Sequence, residues 1–190
     1  MSRCRIINGV YKRRYISAPE VNTTRPTSDV VKQAVFNVLV HRFNFDFSSS
    51  LTIDLFAGSG SLGIEAISCG CPFGIFVDCN IKAINCIRQN IKNLGIENCS
   101  KIIFSRADKL PDDFFVRIGA NFTSIIIFID PPYSEKALLS RQITRFSKLF
   151  YFKSPMVIAE SNVPLQKATH TIRHGNTFAS MFLFKSPASI

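Results

Sequence analysis

The sequence lacks the long apolar segments that place a protein in a membrane or direct it to secretion. Its longest strongly apolar run, residues 125–129, ends at Asp130 and is far shorter than the roughly 20 residues that a membrane-spanning helix needs. The N-terminus is basic, but no apolar segment follows it, so a secretory signal is not expected. We therefore predict a cytoplasmic protein that does not enter a membrane.

Cysteines with metal-binding or disulfide spacing are also missing. None of the six cysteines belongs to a C-x-x-C pair, which argues against a zinc site and a disulfide framework and favours free thiols in a reducing compartment. His170 and His174 lie four residues apart in a segment of extended character, without further ligands beside them. No metal is predicted.

Acidic residues are scarce, and the positive charge is unevenly distributed. The chain has 23 basic and 13 acidic residues, and residues 1–28 contain six of the former and one of the latter. Such a segment attracts a polyanion or an anionic membrane, although a solvated basic face without a partner is the alternative. Arg13 and Arg14 are predicted to face opposite ways on a strand. The candidate contacts to a polyanion are Arg3, Arg5, Arg13, Arg14 and Arg25.

Residues 1–47 are predicted to form a basic N-terminal extension. Two short strands, 4–8 and 11–16, flank Gly9, and a proline-containing connector leads to a helix. Residues 27–29 supply N-cap chemistry, and the apolar residues from Val31 to Leu39 keep helical spacing. Serines 48–50 form a polar linker to the next domain.

Residues 48–190 are predicted to form a second domain in which short apolar strands alternate with amphipathic helices. This alternation is typical of a mostly parallel sheet covered by helices on both faces. Beyond residue 168, two strands joined at Gly175 and Asn176 would add an antiparallel hairpin, which makes seven strands in all. The predicted strands are 51–56, 74–78, 102–104, 124–130 and 156–160, and the helices are 62–68, 81–94, 112–118 and 135–150.

A glycine loop follows the first of these strands. Gly58, Gly60 and Gly63 match G-x-G-x-x-G, and Asp78 lies 20 residues beyond Gly58 at the end of the next strand. This spacing fits a nicotinamide dinucleotide as well as S-adenosylmethionine. Asp54 favours the second ligand, because its carboxylate would repel a pyrophosphate but suit the ammonium group of a methionine. The alternative is that Asp54 only caps a turn.

A second motif, formed by Asp130, Pro131, Pro132 and Tyr133, follows the most apolar strand. The carboxyl ends of central strands face the ligand crevice in such sheets. The carboxylate and the carbonyl of Pro131 would accept the two hydrogens of a base amine, and Tyr133 would stack on the base. The motif therefore indicates methylation of an exocyclic amine, with an ordinary Pro-Pro turn as the alternative.

These motifs resemble those of class I methyltransferases that act on amines of nucleic acids. The extension adds a more specific resemblance, to the RsmD family of bacterial 16S ribosomal RNA guanine-N2 methyltransferases. It is carried by residues 5–9, 11–12, 25–29 and 34–37, and by Glu160 and the turn at 175–177; Asn8 stands where the family usually has glycine.

The resemblance implies a Rossmann-like fold and S-adenosylmethionine as the methyl donor. The methionine end would be lined by Asp54, Phe56, Ala57, Gly58 and Gly60. Asp78 would bind the ribose and Asp108 the adenine amine, and the motif beginning at Asp130 would hold the target guanine. The implied partner is 16S rRNA within an assembled or late-assembling small subunit. A monomer is the default expectation for the enzyme.

Three other functions stay open at this point. An amino-methyltransferase acting on adenine or cytosine of DNA or RNA would share both motifs, although about 35 residues after the helix 135–150 leave little room for a target-recognition domain. A nicotinamide-dependent oxidoreductase conflicts with Asp54 and the Pro-Pro motif. A non-catalytic RNA-binding module would not need that motif intact.

Overall fold

The computed structural model describes residues 3–19, 29–131 and 136–185, and for Lys136 it describes the backbone only. Arg25, the capping residues 27–28, Pro132 and Tyr133 lie outside these ranges, so the roles predicted for them stay predictions. Within the described ranges, no helix is both long and apolar enough to cross a bilayer.

Nine strands and five α-helices make up the described chain, in the order that the sequence predicts. The strands are β1 (Arg3–Arg5), β2 (Tyr15–Ser17), β3 (Ser50–Leu55), β4 (Phe73–Asp78), β5 (Ser100–Phe104), β6 (Ser124–Ile129), β7 (Met156–Ser161), β8 (His170–His174) and β9 (Thr177–Leu183). The helices are α1 (Asp29–His41), α2 (Ser61–Ser68), α3 (Ile81–Leu94), α4 (Asp112–Gly119) and α5 (Lys136–Leu149).

Seven strands form one sheet in the order β5-β4-β3-β6-β7-β9-β8. The five strands from β5 to β7 are parallel, and β9 runs antiparallel to both β7 and β8. The central strands are apolar on both faces because helices cover both sides of the sheet. The predicted fold, a mostly parallel sheet with a C-terminal antiparallel hairpin, is confirmed.

The N-terminal hairpin shares the core of one face of the sheet. Cys4, Ile6 and Ile16 pack in the same buried cluster as Ile64 of α2 and Phe76 of β4. At the turn, a side chain on Gly9 would place a Cβ only 1.7 Å from the carbonyl oxygen of Ser68, so glycine is required there. The division at residue 47 stays a prediction, but the two segments pack tightly against each other.

The hairpin is shorter than the sequence predicts. The backbone of Ile6 still bonds to Arg13 and Arg14 of the opposite arm, but beyond it the N–H groups of Ile7 and Asn8 donate to the carboxylate of Glu65 in α2 instead. Arg13 lies in a turn with a left-handed φ of 72°. The strand predicted for Arg13 and Arg14 was therefore wrong, because β2 begins only at Tyr15, and two-residue alternation does not set the directions of these two side chains.

Candidate active site

The three carboxylates that the sequence singles out lie on adjacent strands. Strand β3 pairs with β4 on one side and with β6 on the other, and all three are parallel. Asp54 lies near the carboxyl end of β3, Asp78 ends β4, and Asp130 follows β6 directly. Their strand ends consequently meet at one edge of the sheet, where open α/β folds bind ligands.

The glycine loop connects β3 to α2 with left-handed backbone at three positions. Phe56, Gly58 and Gly60 have φ values of 62°, 56° and 77°. A Cβ on Gly63 would lie 2.5 Å from the ring of Phe76, so only glycine lets the first turn of α2 pack this closely on the sheet. A tight turn and close packing of the helix on the sheet are the features for which a G-x-G-x-x-G loop needs glycine.

Asp78 fastens the end of β4 to this loop. Its Oδ2 accepts a hydrogen bond of 2.8 Å from the backbone N–H of Gly58, and its Oδ1 accepts one of 2.8 Å from Asn80. The carboxylate is half-buried beside the loop. The binding of a ribose by Asp78 stays a prediction.

Asp54 lies beneath the loop with only 3 % of its surface exposed. Its Oδ2 accepts a hydrogen bond of 2.9 Å from the N–H of Gly63 in the first turn of α2. Burial raises the pKa of Asp54 to about 8; the hydrogen bond from Gly63 opposes that shift, and the charge of Asp78 adds to it. Asp54 therefore caps the first turn of α2, as the alternative interpretation of this residue predicted. Its second carboxylate oxygen can still accept a hydrogen bond from an ammonium group.

Asp108 lies on an exposed turn after β5, the strand next to β4. The guanidinium of Arg106, 3.0 Å away, hydrogen-bonds its carboxylate and lowers the pKa of Asp108. The adenine contact predicted for Asp108 stays a prediction.

Asp130 lines a small pocket at the carboxyl end of β6. The pocket contains one other acidic residue, Glu160 at the end of β7, and Pro131 next to Asp130 is buried. Its apolar walls come from α1, α2, β6, β7 and β9, and are formed by Val31, Val35, Leu62, Ile129, Ile158 and Ala179. The sequence motifs assign Glu160 no role in the chemistry, although its position at the end of a parallel strand matches that of Asp130.

A buried ion pair joins the extension to the start of α2. The ammonium of Lys32 in α1 lies 3.3 Å from the carboxylate of Glu65, and neither side chain is exposed. Lys32 also donates to the carbonyl of Arg5 at 2.7 Å and to the hydroxyl of Ser61 at 2.9 Å. The side chain of Asn8 adds a hydrogen bond of 3.2 Å to Glu65. Sequence reasoning missed this network; the signal was a lysine on the apolar face of α1.

Asn90 of α3 joins the extension to the glycine loop itself. Its amide accepts from the N–H of Ser17 and donates to the carbonyl of Ser17, both at 2.9 Å. The same amide donates to the carbonyl of Ser59 at 2.9 Å. The hairpin and the glycine loop are therefore held by one buried side chain.

Four of the basic residues predicted to contact RNA are exposed on the extension: Arg3, Arg5, Arg13 and Arg14. Arg14 donates to the carbonyl of Asn93 at 2.7 Å and lies over the ring of Tyr11, so it fastens the hairpin to α3. Arg5 and Arg13 line a groove of about 180 Å³ together with Lys12 and Gln33. No cluster of metal-binding side chains occurs in the part of the chain that the structure describes.

Comparison with known proteins decides the family. A family model described as "Conserved hypothetical protein 95" matches residues 4–178. The chain is 38% identical over 134 residues to YlbH of Bacillus subtilis, provisionally described as an rRNA methyltransferase, and the match covers 70% of this chain and 69% of that protein. It is 35% identical to the ribosomal RNA small subunit methyltransferase D of Buchnera aphidicola, covering 70% and 65%.

The chain belongs to the RsmD family. Among solved structures, yhhF of Escherichia coli, provisionally described as a methyltransferase, superposes with a TM-score of 0.73 at 22% identity and covers 97% of this chain and 99% of that one. An RNA methyltransferase of Salinibacter ruber in complex with S-adenosyl-L-homocysteine superposes with a TM-score of 0.55 at 13% identity, covering 85% and 94%. At these identities the two structures show the fold, which is that of class I methyltransferases.

Proposed function

We propose that this RsmD-family protein methylates the N2 amine of a guanine in small-subunit ribosomal RNA, with S-adenosylmethionine as the donor. The observation that carries the proposal is the position of Asp130 and Pro131 at the carboxyl end of β6, one strand away from the glycine loop of β3. The name of the relative from Buchnera aphidicola supports ribosomal RNA as the substrate.

The loop residues fit this donor better than a dinucleotide. Left-handed glycines at 58 and 60 let a ligand approach the backbone, and Asp78 offers a carboxylate to ribose hydroxyls. Asp54, beneath the same loop, offers an acceptor to an ammonium group, whose positive charge would favour the ionised carboxylate, whereas a pyrophosphate needs hydrogen-bond donors there. When bound, S-adenosylmethionine supplies a methyl group activated by a sulfonium centre.

The chain's own part in catalysis is to hold the amine. A base amine is a weak nucleophile because its lone pair is delocalised into the ring. Asp130 and the carbonyl of Pro131 accept its two hydrogens, which fixes the nitrogen and directs its lone pair toward the donor, so that positioning supplies most of the acceleration. Asp130 is also placed to take the proton that the amine loses after methylation.

The remaining parts of the proposal follow from the family resemblance and the charge distribution. The substrate would be an assembled or nearly assembled small subunit in the cytoplasm, and the enzyme would act as a monomer. The basic extension, residues 1–47, would hold the RNA backbone while Tyr133 stacks on the flipped base.

The test is mass mapping of methylated nucleotides in small-subunit RNA from cells with and without the gene. We expect one N2-methylguanosine to disappear without the gene and to return with the wild-type protein but not with Asp130→Ala. Glu97→Ala removes an exposed carboxylate just before β5, at the opposite edge of the sheet, and should restore the methylation. An unchanged set of methylguanosines would overturn the proposal.

A further inference from the structure

We propose that Glu160 is the residue that selects guanine, by accepting the hydrogen on ring nitrogen N1 of the target base. This role deepens the proposed function and rests on it, because it assigns Glu160 to the ring atom next to the amine that Asp130 holds. Neither the sequence motifs nor the names of the relatives give Glu160 a part in the reaction.

The sheet register places the two carboxylates side by side. Ile129 of β6 pairs with Ala159 of the parallel strand β7. Asp130 and Glu160 are the next residues of the two strands, and adjacent strands lie about 4.8 Å apart. Because side chains alternate along a strand, Asp130 shares a face with Phe128 and Glu160 shares it with Ile158. That face is the one covered by the extension and α2.

Both carboxylates line the same otherwise apolar pocket, whose volume of about 10 Å³ does not admit a base, so the base would lie over the strand ends beside it. Val31 and Val35 of α1, with Leu62 of α2, form the wall opposite the strands. A polar atom of the base that is buried against these apolar side chains without a partner is penalised, so the strand ends discriminate between bases by the partners that they offer. The ends of β6 and β7 offer two hydrogen-bond acceptors, the carboxylates of Asp130 and Glu160.

Two adjacent acceptors match one base edge and conflict with the others. Guanine presents the N2 amine and the N1 hydrogen next to each other, and both are donors. Adenine presents its N6 amine next to N1, and cytosine its N4 amine next to N3, and both of these ring nitrogens are acceptors. With the amine at Asp130, the carboxylate of Glu160 meets a hydrogen in guanine but a lone pair in adenine or cytosine. The pair therefore favours guanine and disfavours the two other amine-bearing bases.

The test compares two bases that share the N2 amine. In 2-aminopurine, N1 is an acceptor, whereas in guanine it carries a hydrogen. Small subunits are reconstituted with either base at the mapped position, and single-turnover methylation is measured for the wild-type protein and for Glu160→Gln. We expect the wild-type protein to methylate guanine at least tenfold faster than 2-aminopurine. In Glu160→Gln the side-chain amide can donate to N1 of 2-aminopurine, so this variant should reduce the ratio of the two rates at least tenfold.

Controls separate recognition from folding. Affinity for S-adenosylhomocysteine and the melting temperature should stay close to wild type in Glu160→Gln. Glu160→Asp, which keeps the acceptor, should keep the preference for guanine even if its rate falls, and Glu97→Gln should match the wild-type ratio. A ratio that is unchanged in Glu160→Gln overturns the role of Glu160 and leaves the proposed function intact. Failure of the wild-type protein to methylate the guanine substrate overturns both.

Discussion

Lys32 and Glu65 form an ion pair of 3.3 Å in which both side chains are fully buried. One charge belongs to the helix of the extension and the other to the helix that follows the glycine loop. Each has further partners, since Glu65 accepts from the backbone of Ile7 and Asn8 while Lys32 donates to Arg5 and Ser61. A buried pair is tolerated when hydrogen bonds satisfy both groups in this way. The extension is therefore fastened to α2, the helix after the glycine loop, by charge as well as by apolar packing.

Removal of one partner of this pair should destabilise the protein strongly. Lys32→Met leaves the carboxylate of Glu65 buried without its counter-ion, and we expect the free energy of unfolding in urea to fall by about 3–5 kcal/mol. The double variant Lys32→Met/Glu65→Gln removes both charges and should lose less than the sum of the single variants. Lys92→Met, at an exposed position of α3, is the matched control and should change stability by less than about 0.5 kcal/mol. If the losses in unfolding free energy of the two single variants add up to that of the double variant, the two charges are not coupled.

Asp54→Asn should stabilise the cofactor-free protein above neutral pH. Burial raises the pKa of Asp54 to about 8, whereas an aspartate in the unfolded chain titrates near its ordinary value of about 3.9. The carboxyl ionises more easily in the unfolded chain than in the folded protein. The stability that protonated Asp54 contributes is therefore complete below the unfolded pKa and is lost as the pH rises toward 8. Asparagine can still accept from Gly63 but has no proton to lose. At pH 8 we expect the variant to exceed wild type by on the order of 1–3 kcal/mol.

Urea unfolding of both cofactor-free proteins between pH 5 and 8 measures this difference. The wild-type stability should fall with pH more steeply than that of Asp54→Asn, and the gap should widen toward pH 8. Asp113→Asn, at an exposed position of α4, should run parallel to wild type. Parallel curves for Asp54→Asn would mean that the carboxyl is already ionised in the folded protein.

Asp78→Ala should weaken cofactor binding. The variant removes the predicted ribose acceptor together with the hydrogen bonds that Gly58 and Asn80 donate. Loss of a hydrogen bond to a charged group costs about 1.5–3 kcal/mol, so affinity for S-adenosylhomocysteine should fall at least tenfold in a calorimetric titration. Asp78→Asn keeps an acceptor for Gly58, and its affinity should lie between those of wild type and Asp78→Ala. Unchanged affinity in Asp78→Ala would remove Asp78 from the cofactor site.

The sheet and the loop could be predicted because their signals are local. Buried parallel strands appear as short apolar runs, and the glycines of the loop are required by left-handed backbone and by contact with the ring of Phe76. The predicted strand and helix ends lie within two residues of those observed between β3 and β7. A terminal hairpin was also predictable from the turn at Gly175.

The contacts of the extension could not be predicted, because they join residues far apart in the chain. Glu65 meets Ile7 across 58 positions, and Asn90 meets Ser17 across 73. Lys32 has a side chain that usually remains in solvent, and only the packed structure shows that Glu65 holds it inside. Arg13 adopts a left-handed turn that non-glycine residues seldom take, so a strand was the natural expectation from sequence.

The basic groove of the extension, formed by Arg5, Lys12, Arg13 and Gln33, is suited to the RNA backbone. Recognition of a single base cannot identify a site in a long RNA, so the flanking backbone must be bound elsewhere. Three cationic side chains that line one groove can bind phosphates. Arg14 does not line this groove; it donates to the carbonyl of Asn93 in α3, and its contact with RNA stays a prediction.

We expect the triple variant Arg5→Glu/Lys12→Glu/Arg13→Glu to keep its fold and its affinity for S-adenosylhomocysteine but to lose methylation of small subunits. In binding to single-stranded RNA, the slope of log affinity against log salt should fall by about 0.7 for each phosphate that the variant no longer neutralises.

The matched control reverses three exposed basic residues on α3 and β5, Arg88, Lys92 and Lys101, which changes the net charge by the same amount. Because long-range attraction depends on total charge, both variants should bind RNA more slowly. Only the groove variant should show a smaller salt slope and lose the methylation of small subunits. Equal slopes in the two variants would show that the hairpin contributes solubility alone, and would direct the search for the RNA site to the loops that follow β6 and β7.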